Sequence, residues 1–412
     1  MTKRVSVVAA LGVLGSLLVF ASVGAAAGHA KHARHAKTPG VTKKTVVIGG
    51  TFPLTGPAQL YGVIPKAENA YYQWVNAHGG VNGRKIVFKY LDDQYNPAMT
   101  VPLTHKLVQQ DHIFADVNSL GTAPNIAIRP YLNKQKVPQV LVATGDSYWG
   151  AQYKKYPWTI GFQPDYPGEA KIYGKWIHAH MPNAKIAVLR QDDSYGQNYY
   201  DGLRAGLGSS KSNIVDVETY PATQTDVSAQ VAKLAQSGAT IFALFAIPQQ
   251  TIDALVVATK IGWKPTTFIN NVSASPVFMS LAVKSGANVD GDISTTYLLD
   301  VVDQPNSSSA KLYKKILARY DKGANPLDLN NAYGVAVGWT FVQALKAAGK
   351  NPTRAGLMKA LTHIKRWKNP FLYPGIHLHT TPKDRFMIQQ QKLVRWRNQH
   401  FVPFAKLFNH AK

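Results

Sequence analysis

The chain has 412 residues, enough for two domains of ordinary size, and its apolar share of 45% and charged share of 17% are typical of a globular protein. It contains no cysteine, so disulfides, thiolate metal sites and cysteine nucleophiles are excluded. The net charge is +24, but the basic residues are scattered and do not form runs, so we expect no nucleic-acid partner.

The N-terminal residues have the pattern of an export signal. Lys3 and Arg4 precede an apolar stretch at 5–23, and three alanines at 25–27 form a small-residue cleavage site. We therefore predict a signal peptide at 1–27, and a protein in the periplasm or at the extracellular face of the cell envelope. Retention of the apolar stretch as a membrane anchor is the alternative. Residues 28–44, which include HAKHARHAK, are predicted to be a solvated basic tether.

From residue 45 onward, short apolar runs alternate with helical patterns, which predicts successive βα units and a doubly wound sheet. The predicted strands of this first series are 45–51, 85–91, 114–118 and 139–143. Between them we predict a helix that ends at Gly79 and Gly80, a helix over 97–111, and a third through Ile126 and Leu132.

The pattern restarts near 158–164 and continues as a second α/β series of similar size. Its predicted helices are 165–181, 197–207, 226–237 and 249–262, and its predicted strands are 185–190, 213–219, 240–246 and 266–269. A strand at 292–298 and a late block of helices at 307–320, 329–348 and 353–361 follow, and the chain ends in strands at 387–396 and 400–408. This order predicts two lobes with several crossings between them, and hence a hinge with a ligand cleft.

The stretch 114–146 is a strand, a helix and a second strand, which predicts a parallel βαβ unit with a right-handed crossover. Ligands of such sheets lie beyond the carboxyl ends of the strands, near helix N-termini. Both ends here, at 120–122 and 143–145, are small and hydroxylated, so a ligand's polar head could approach the backbone and hydroxyl groups together. The alternative is that they are ordinary βα turns.

Candidate catalytic groups are few. Asp192 and Asp193, like Asp92 and Asp93, are adjacent carboxylates at strand ends, where helix capping or hinge hydrogen bonding is a better explanation than acid–base catalysis. A hydrolase that uses Asp192 and Asp193 is the enzymatic alternative. The sequence carries no phosphate-binding loop, nucleophile elbow or HExxH spacing, so we expect no enzyme activity, no metal and no cofactor. Four aromatic residues follow strands and are predicted to border a pocket: Tyr61, Tyr148, Trp149 and Tyr195.

Taken together, the sequence resembles proteins of the type I periplasmic-binding-protein fold, in the branched-chain amino acid (Leu/Ile/Val) binding branch of the ABC-transporter substrate-binding proteins. The motifs that carry the resemblance are FPLTGPAQLYG (52–62), GGVNGRK (79–85), LDDQYNP (91–97), SLGTAPN (119–125), VPQVLVATGD (137–146), DDSYG (192–196), IGWKP (261–265), NNVSASP (270–276) and PGIHLHTTPKD (374–384). Their order and spacing cover most of the chain.

The resemblance implies an α/β protein of two doubly wound parallel-sheet lobes joined by a three-strand hinge. We assign lobe 1 to 45–161 and 295–372, and lobe 2 to 162–294 and 373–412. The family closes on a small ligand and delivers it to an ABC permease, so both are expected partners of a chain that we expect to be a monomer. The resemblance places the ligand site at Tyr61, Gly121, Thr122, Ala143, Thr144, Tyr195, Ala246 and Asn271.

One departure from the family bears on the ligand. Relatives that bind amino acids commonly hold the ammonium with an acid after the strand that matches 266–269, but here that loop reads Asn270-Asn271-Val272-Ser273. An ammonium buried without a carboxylate is costly. We therefore expect an amide, a short-chain acid or an aromatic acid to suit this loop better than Leu, Ile or Val. A receptor that reports a ligand to a membrane sensor without transport remains the alternative to an importer component.

Overall fold

The computed structural model describes residues 38–410. The predicted signal peptide and the part of the tether at 28–37 lie outside the described residues, as do 411 and 412. The last seven residues of the predicted tether do not form a free linker. The carbonyl oxygen of Gly40 accepts a 2.8 Å hydrogen bond from the N–H of Val47, and the guanidinium of Arg84 donates to the carbonyl oxygen of Thr42 over 2.6 Å. Residues 38–44 therefore lie against the first sheet.

The first sheet has five parallel strands in the order β2-β1-β3-β4-β5. They are β1 Thr45–Phe52, β2 Lys85–Asp92, β3 Asp116–Val117, β4 Gln139–Val142 and β5 Thr159–Gly161. Strands β3, β4 and β5 are buried throughout, which is typical of a parallel sheet covered on both faces. The intervening helices are α1 Ile64–Ala77, α2 Pro97–Gln109, α3 Thr122–Lys134 and the short α4 Tyr148–Ala151.

The second sheet repeats this winding order. Its parallel strands are β6 Ile186–Gln191, β7 Ile214–Tyr220, β8 Ile241–Phe245, β9 Thr266–Ile269 and β10 Ile293–Thr296, arranged as β7-β6-β8-β9-β10. The antiparallel strands β11 Gln390–Arg397 and β12 His400–Asn409 extend the sheet beyond β10. The helices of this series are α5 Tyr166–His180, α6 Ser194–Leu207, α7 Ser228–Gln236, α8 Pro248–Lys260 and α9 Pro276–Lys284.

Helices α5 and α6 approach each other closely. A Cβ atom built on Gly174 of α5 would lie 2.4 Å from the carbonyl oxygen of Leu203, and one on Gly206 of α6 would lie 2.4 Å from that of Lys171. No side chain fits at such distances, so these glycines allow the two backbones to touch. The contact sets the first turns of both helices, where Tyr166, Glu169 and Tyr195 lie, relative to each other.

The late helices are α10 Ser308–Tyr320, α11 Leu329–Ala347 and α12 Arg354–Leu361. Helix α11 packs on α1, where a Cβ on Gly334 would lie 2.4 Å from the carbonyl oxygen of Ile64. The chain thus returns to the first sheet after β10 and leaves it again for β11.

The predicted fold class, two doubly wound α/β sheets linked by several crossings, is confirmed. One boundary differs, because β10 continues in the second sheet through Thr296, beyond the predicted start of the returning segment at 295. In the described part of the chain, no helix is long and apolar enough to cross a membrane.

Candidate functional site

A cavity lies at the carboxyl ends of strands from both sheets, where ligands of open α/β sheets bind. Its unfilled space, including the opening, is about 680 Å³. Only about 50 Å³ of that space is far enough from the walls to hold the centre of a water molecule. The cleft is therefore narrow and suits a small ligand. Its walls are formed by Tyr61, Ile64, Tyr95, Leu120, Gly121, Thr122, Ala143, Gln163, Tyr166, Tyr195, Ile247, Asn271, Val272, Ser275, Thr295, Thr296, Tyr297, Leu298, Leu329, Asn330 and Tyr333.

Six of the eight predicted site residues line this cavity, and two do not. Thr144 lies directly behind the wall, with its hydroxyl 2.6 Å from the hydroxyl of Thr122. Ala246 is fully buried, and its carbonyl oxygen accepts hydrogen bonds from the hydroxyls of Ser273 and Thr251. The neighbouring residue Ile247 takes the place in the wall that the sequence assigned to Ala246.

The first-sheet wall is built on the N-terminus of α3. Gly121 precedes the helix with φ 105°, a left-handed conformation that glycine adopts without strain, and Thr122 is the first helical residue. The first N–H groups of a helix have no partner within it and carry partial positive charge. Together with the hydroxyl of Thr122, they form an end of the cleft that suits an anionic group.

Six tyrosines make the cleft aromatic: Tyr61, Tyr95, Tyr166, Tyr195, Tyr297 and Tyr333. The rings of Tyr166 and Tyr195 meet edge to face, with centroids 5.1 Å apart. Burial raises the pKa of each hydroxyl above its ordinary value, so all six are neutral. Among the described residues that line the cleft, none is Asp, Glu, Lys or Arg. A ligand therefore meets hydroxyls, amides and aromatic faces.

The second-sheet wall ends in the loop that follows β9. The side-chain amide of Asn270 donates to the hydroxyl of Tyr195 over 2.7 Å, and its Oδ1 accepts from the N–H of Ala246 over 3.3 Å. Asn270 thus holds Tyr195 in the wall. Because the Tyr195 hydroxyl is the acceptor in this hydrogen bond, the bond does not use the hydroxyl's own proton. Asn271 is the next residue and faces the cleft.

Behind Asn271 lies Glu169, a fully buried carboxylate on α5 that sequence reasoning missed. Oε1 accepts from the hydroxyl of Tyr173 (2.6 Å) and the backbone N–H of Asn271 (2.7 Å). Oε2 accepts from the side-chain amide of Asn271, the hydroxyl of Tyr199 (3.0 Å) and the side-chain amide of Gln391 (3.3 Å). Burial raises the pKa of Glu169 above its ordinary value, and these hydrogen bonds lower it.

A sequence signal for Glu169 exists, because the same arrangement occurs on α1. There Glu68 is also fully buried, and it accepts from Tyr72 four residues later (2.7 Å) and from the side-chain amide of Asn118 (2.7 Å). In each half of the chain, a glutamate on an apolar helix face is followed four residues later by a tyrosine. This spacing indicates both buried carboxylates.

Polar contacts join the two walls at the rim of the cleft. On one side the hydroxyl of Ser275 donates to Asp328 over 2.8 Å. On the other side the hydroxyl of Ser194 donates to Asp146, and the backbone N–H of Ser147 donates to Asn198 over 3.0 Å. Each contact links a residue of one sheet's segment to a residue of the other.

Two predicted pocket aromatics lie elsewhere. Trp149 is buried beside Arg129, whose guanidinium lies 4.9 Å from its ring centre, and Tyr148 is 36% exposed outside the cleft. Both belong to α4, which turns them away from the ends of β3 and β4. The prediction that all four strand-end aromatics border the pocket is therefore wrong for these two.

The adjacent carboxylates have structural partners. Asp193 caps α6, accepting from the N–H of Gly196 over 3.2 Å. Asp92 accepts from the N–H groups of Leu54 and Thr55, which fixes the loop after β1. Within residues 38–410, no three His, Cys, Asp or Glu side chains gather as metal ligands would.

Comparison with known proteins agrees with this fold. A family model described as periplasmic binding protein matches residues 45–400. The "Leu/Ile/Val-binding protein homolog 1" of Brucella suis is 28% identical over 310 residues, which are 74% of this chain and 79% of that protein.

Solved structures share the fold. A branched-chain amino acid ABC transporter protein from Thermus thermophilus with bound valine superposes with a TM-score of 0.78 at 19% identity, covering 90% of this chain and 97% of the other. An ABC-transporter solute-binding protein from R. palustris in complex with 4-hydroxybenzoate gives a TM-score of 0.73 at 18% identity, covering 89% and 97%. The chain belongs to the periplasmic binding protein family.

Proposed function

We propose that this protein captures a small carboxylate-bearing solute, an amino acid or a related acid or amide, between its two sheets and delivers it to an ABC permease in the membrane. The observation that carries the proposal is the narrow, uncharged cleft with the N-terminus of α3 at one end and Tyr195 and Asn271 at the other.

The ligand's carboxylate is assigned to the α3 end. The hydroxyl of Thr122 and the first N–H groups of the helix are hydrogen-bond donors that favour negative charge. Thr144 supports this end from behind, because when its hydroxyl donates to Thr122 the proton of Thr122 is free for the ligand. A hydrogen bond to a charged group contributes about 1.5–3 kcal/mol, so these donors can hold a carboxylate without a basic side chain.

Transport requires that ligand binding favours one arrangement of the two lobes over another. Tyr61 and Asn271 lie on opposite walls, and the rim contacts Ser275–Asp328 and Ser147–Asn198 form only when the walls are close. A ligand that touches both walls binds the closed arrangement more tightly and shifts the population toward it. The permease then recognises the closed, loaded protein, which we place outside the cytoplasm as a monomer.

The fold alone does not determine which ligand binds. Solved structures of this fold hold valine in one case and 4-hydroxybenzoate in another, while the Brucella suis relative is named for Leu, Ile and Val. A thermal-shift screen of amino acids, their amides and aromatic acids is the test, because a ligand that binds only the folded state raises the melting temperature. A hit confirmed by calorimetry at one site per chain supports the proposal. The absence of any stabilising solute across all three classes would reject this ligand assignment.

A further inference from the structure

The orientation of the Asn271 side chain is fixed by Glu169. The backbone N–H and the side-chain amide of Asn271 both donate to the same carboxylate, one to each oxygen. A flipped amide would place its carbonyl oxygen against that carboxylate, where the two would repel each other. One hydrogen of the amide nitrogen is therefore committed to Glu169, and Oδ1, which has no hydrogen-bond partner among the described residues, is the acceptor that Asn271 has left.

Burial raises the pKa of Glu169, and the hydrogen-bond donors around it oppose this effect by favouring the ionised form. The two N–H groups of Asn271 and the amide of Gln391 cannot accept a proton, and the hydroxyl of Tyr199 donates as well. The single proton of the Tyr173 hydroxyl is shared between Glu169 (2.6 Å) and the carbonyl oxygen of Ile269 (2.9 Å). A protonated carboxyl could donate only to a tyrosine hydroxyl, so the three N–H groups favour the ionised form. Glu68, by contrast, receives only two hydrogen bonds from the described residues, and burial raises its pKa to about 8.

We propose that Glu169 is a positioning residue that acts on the ligand through Asn271 and gives this end of the cleft its preference for an ammonium group. The inference rests on the proposed function and narrows it, because the ligand is then an amino acid with a free amine and not an amide, a short-chain acid or an aromatic acid. The acid that the loop after β9 lacks is supplied from α5, 102 residues away along the chain.

The rest of this end of the cleft fits an ammonium. Asn271 Oδ1 accepts a hydrogen bond from it, and the donor bonds of the same amide to a carboxylate polarise that oxygen. The buried charge of Glu169 lies directly behind, separated from the ligand by a single side chain, where screening by water is weak. The neighbouring tyrosine rings add cation–π attraction. The α3 N-terminus at the other end completes a dipolar site for a zwitterion.

The test compares matched ligands that differ only in the amine. Calorimetry measures L-alanine against propanoate, L-leucine against 4-methylpentanoate, and L-phenylalanine against 3-phenylpropanoate, first on the unaltered protein. We expect at least one amino acid to bind tenfold or more tightly than its amine-free partner. If every acid binds as tightly as its amino acid, the inference fails while the proposed function stands. If no member of the three pairs binds, the proposed function fails for this ligand class, and the inference fails with it.

Variants then separate recognition from folding. In Glu169→Gln we expect the preference for the amino acid to fall about tenfold, whereas a merely structural role would weaken both members of a pair equally. Glu68→Gln is the matched control, since it removes the equivalent carboxyl from α1, where the partner Asn118 does not line the cleft. The double variant Glu169→Gln with Asn271→Asp moves the charge into the wall and should restore the preference. An unchanged preference in Glu169→Gln, or no restoration in the double variant, overturns the proposal.

Discussion

The side-chain oxygen of Asn198 accepts a 3.0 Å hydrogen bond from the backbone N–H of Ser147, so helix α6 of the second sheet holds the loop that follows β4 of the first. The amide of Asn198 is itself fixed by the carbonyl oxygen of Ser194 over 2.8 Å. Asn198 does not line the cleft, and this bond is lost if the two walls separate.

We therefore expect Asn198→Ala to weaken every ligand by the same factor, about fivefold, because the bond stabilises the closed state by about 1 kcal/mol. Calorimetry on two different ligands measures the effect. Gln197→Ala is the control, since its exposed side chain bonds to no described residue other than Asp201. A change in the ratio of the two affinities would mean that Asn198 touches the ligand and is not a latch.

Thr122 provides the test of the carboxylate end. Thr122→Val keeps the shape of the side chain and removes the hydroxyl, so we expect affinity to fall roughly tenfold or more, as a hydrogen bond to a charged group is worth about 1.5–3 kcal/mol. Thr122→Ser keeps the hydroxyl and should retain most of the affinity. Equal calorimetric affinity in Thr122→Val and the unaltered protein would remove Thr122 from the site.

Much of the fold could be predicted because its pattern is regular. Strands such as β1 and β8 are apolar runs bounded by turn residues, and α3 begins and ends at small and proline-rich segments close to the predicted positions. Strand β5 has three residues and α4 has four, too short for any periodicity to show. Helix α9 was also missed, although Ser275 followed by Pro276 is a helix-start signal.

The site was predictable only where it follows strand ends. Gly121 and Thr122 lie in the segment after β3, Ala143 follows β4, and all three line the cleft, since parallel strands bring their carboxyl ends to one edge. Glu169 was not found, because its role depends on α5 packing against the loop after β9, a contact between residues 102 apart in sequence. Ala246 is buried and does not line the cleft, whereas its neighbour Ile247 does, a difference of one residue that the sequence pattern does not resolve.

The glycine contact between α5 and α6 should be sensitive to a single methyl group. In Gly206→Ala the new Cβ would lie 2.4 Å from the carbonyl oxygen of Lys171, so the helices must separate. Overpacking of this kind costs about 1–3 kcal/mol of unfolding free energy, measurable by urea denaturation. Ligand affinity should fall as well, because α5 carries Glu169 and α6 carries Tyr195. Ala205→Ser, at an exposed position of the same helix, serves as the control. Undiminished stability in Gly206→Ala would show that the contact is not tight.

Glu68 should make the protein less stable as the pH rises. Burial raises its pKa from an ordinary 4.5 to about 8 in the folded state, so between these values the folded protein holds a proton that the unfolded chain has lost. The unfolding free energy must therefore fall with increasing pH across this window, by as much as about 4 kcal/mol between pH 5 and pH 8.

Glu68→Gln keeps a neutral side chain at all pH values, so the decline from pH 5 to pH 8 should become clearly shallower, whatever the variant's absolute stability. Asp116, whose pKa is raised by burial to about 7, preserves part of the decline in both proteins. Urea denaturation at pH 5, 6.5 and 8 measures the slope. Parallel slopes in the two proteins would show that Glu68 is ionised in the folded state throughout, and that the hydrogen bonds from Tyr72 and Asn118 outweigh its burial.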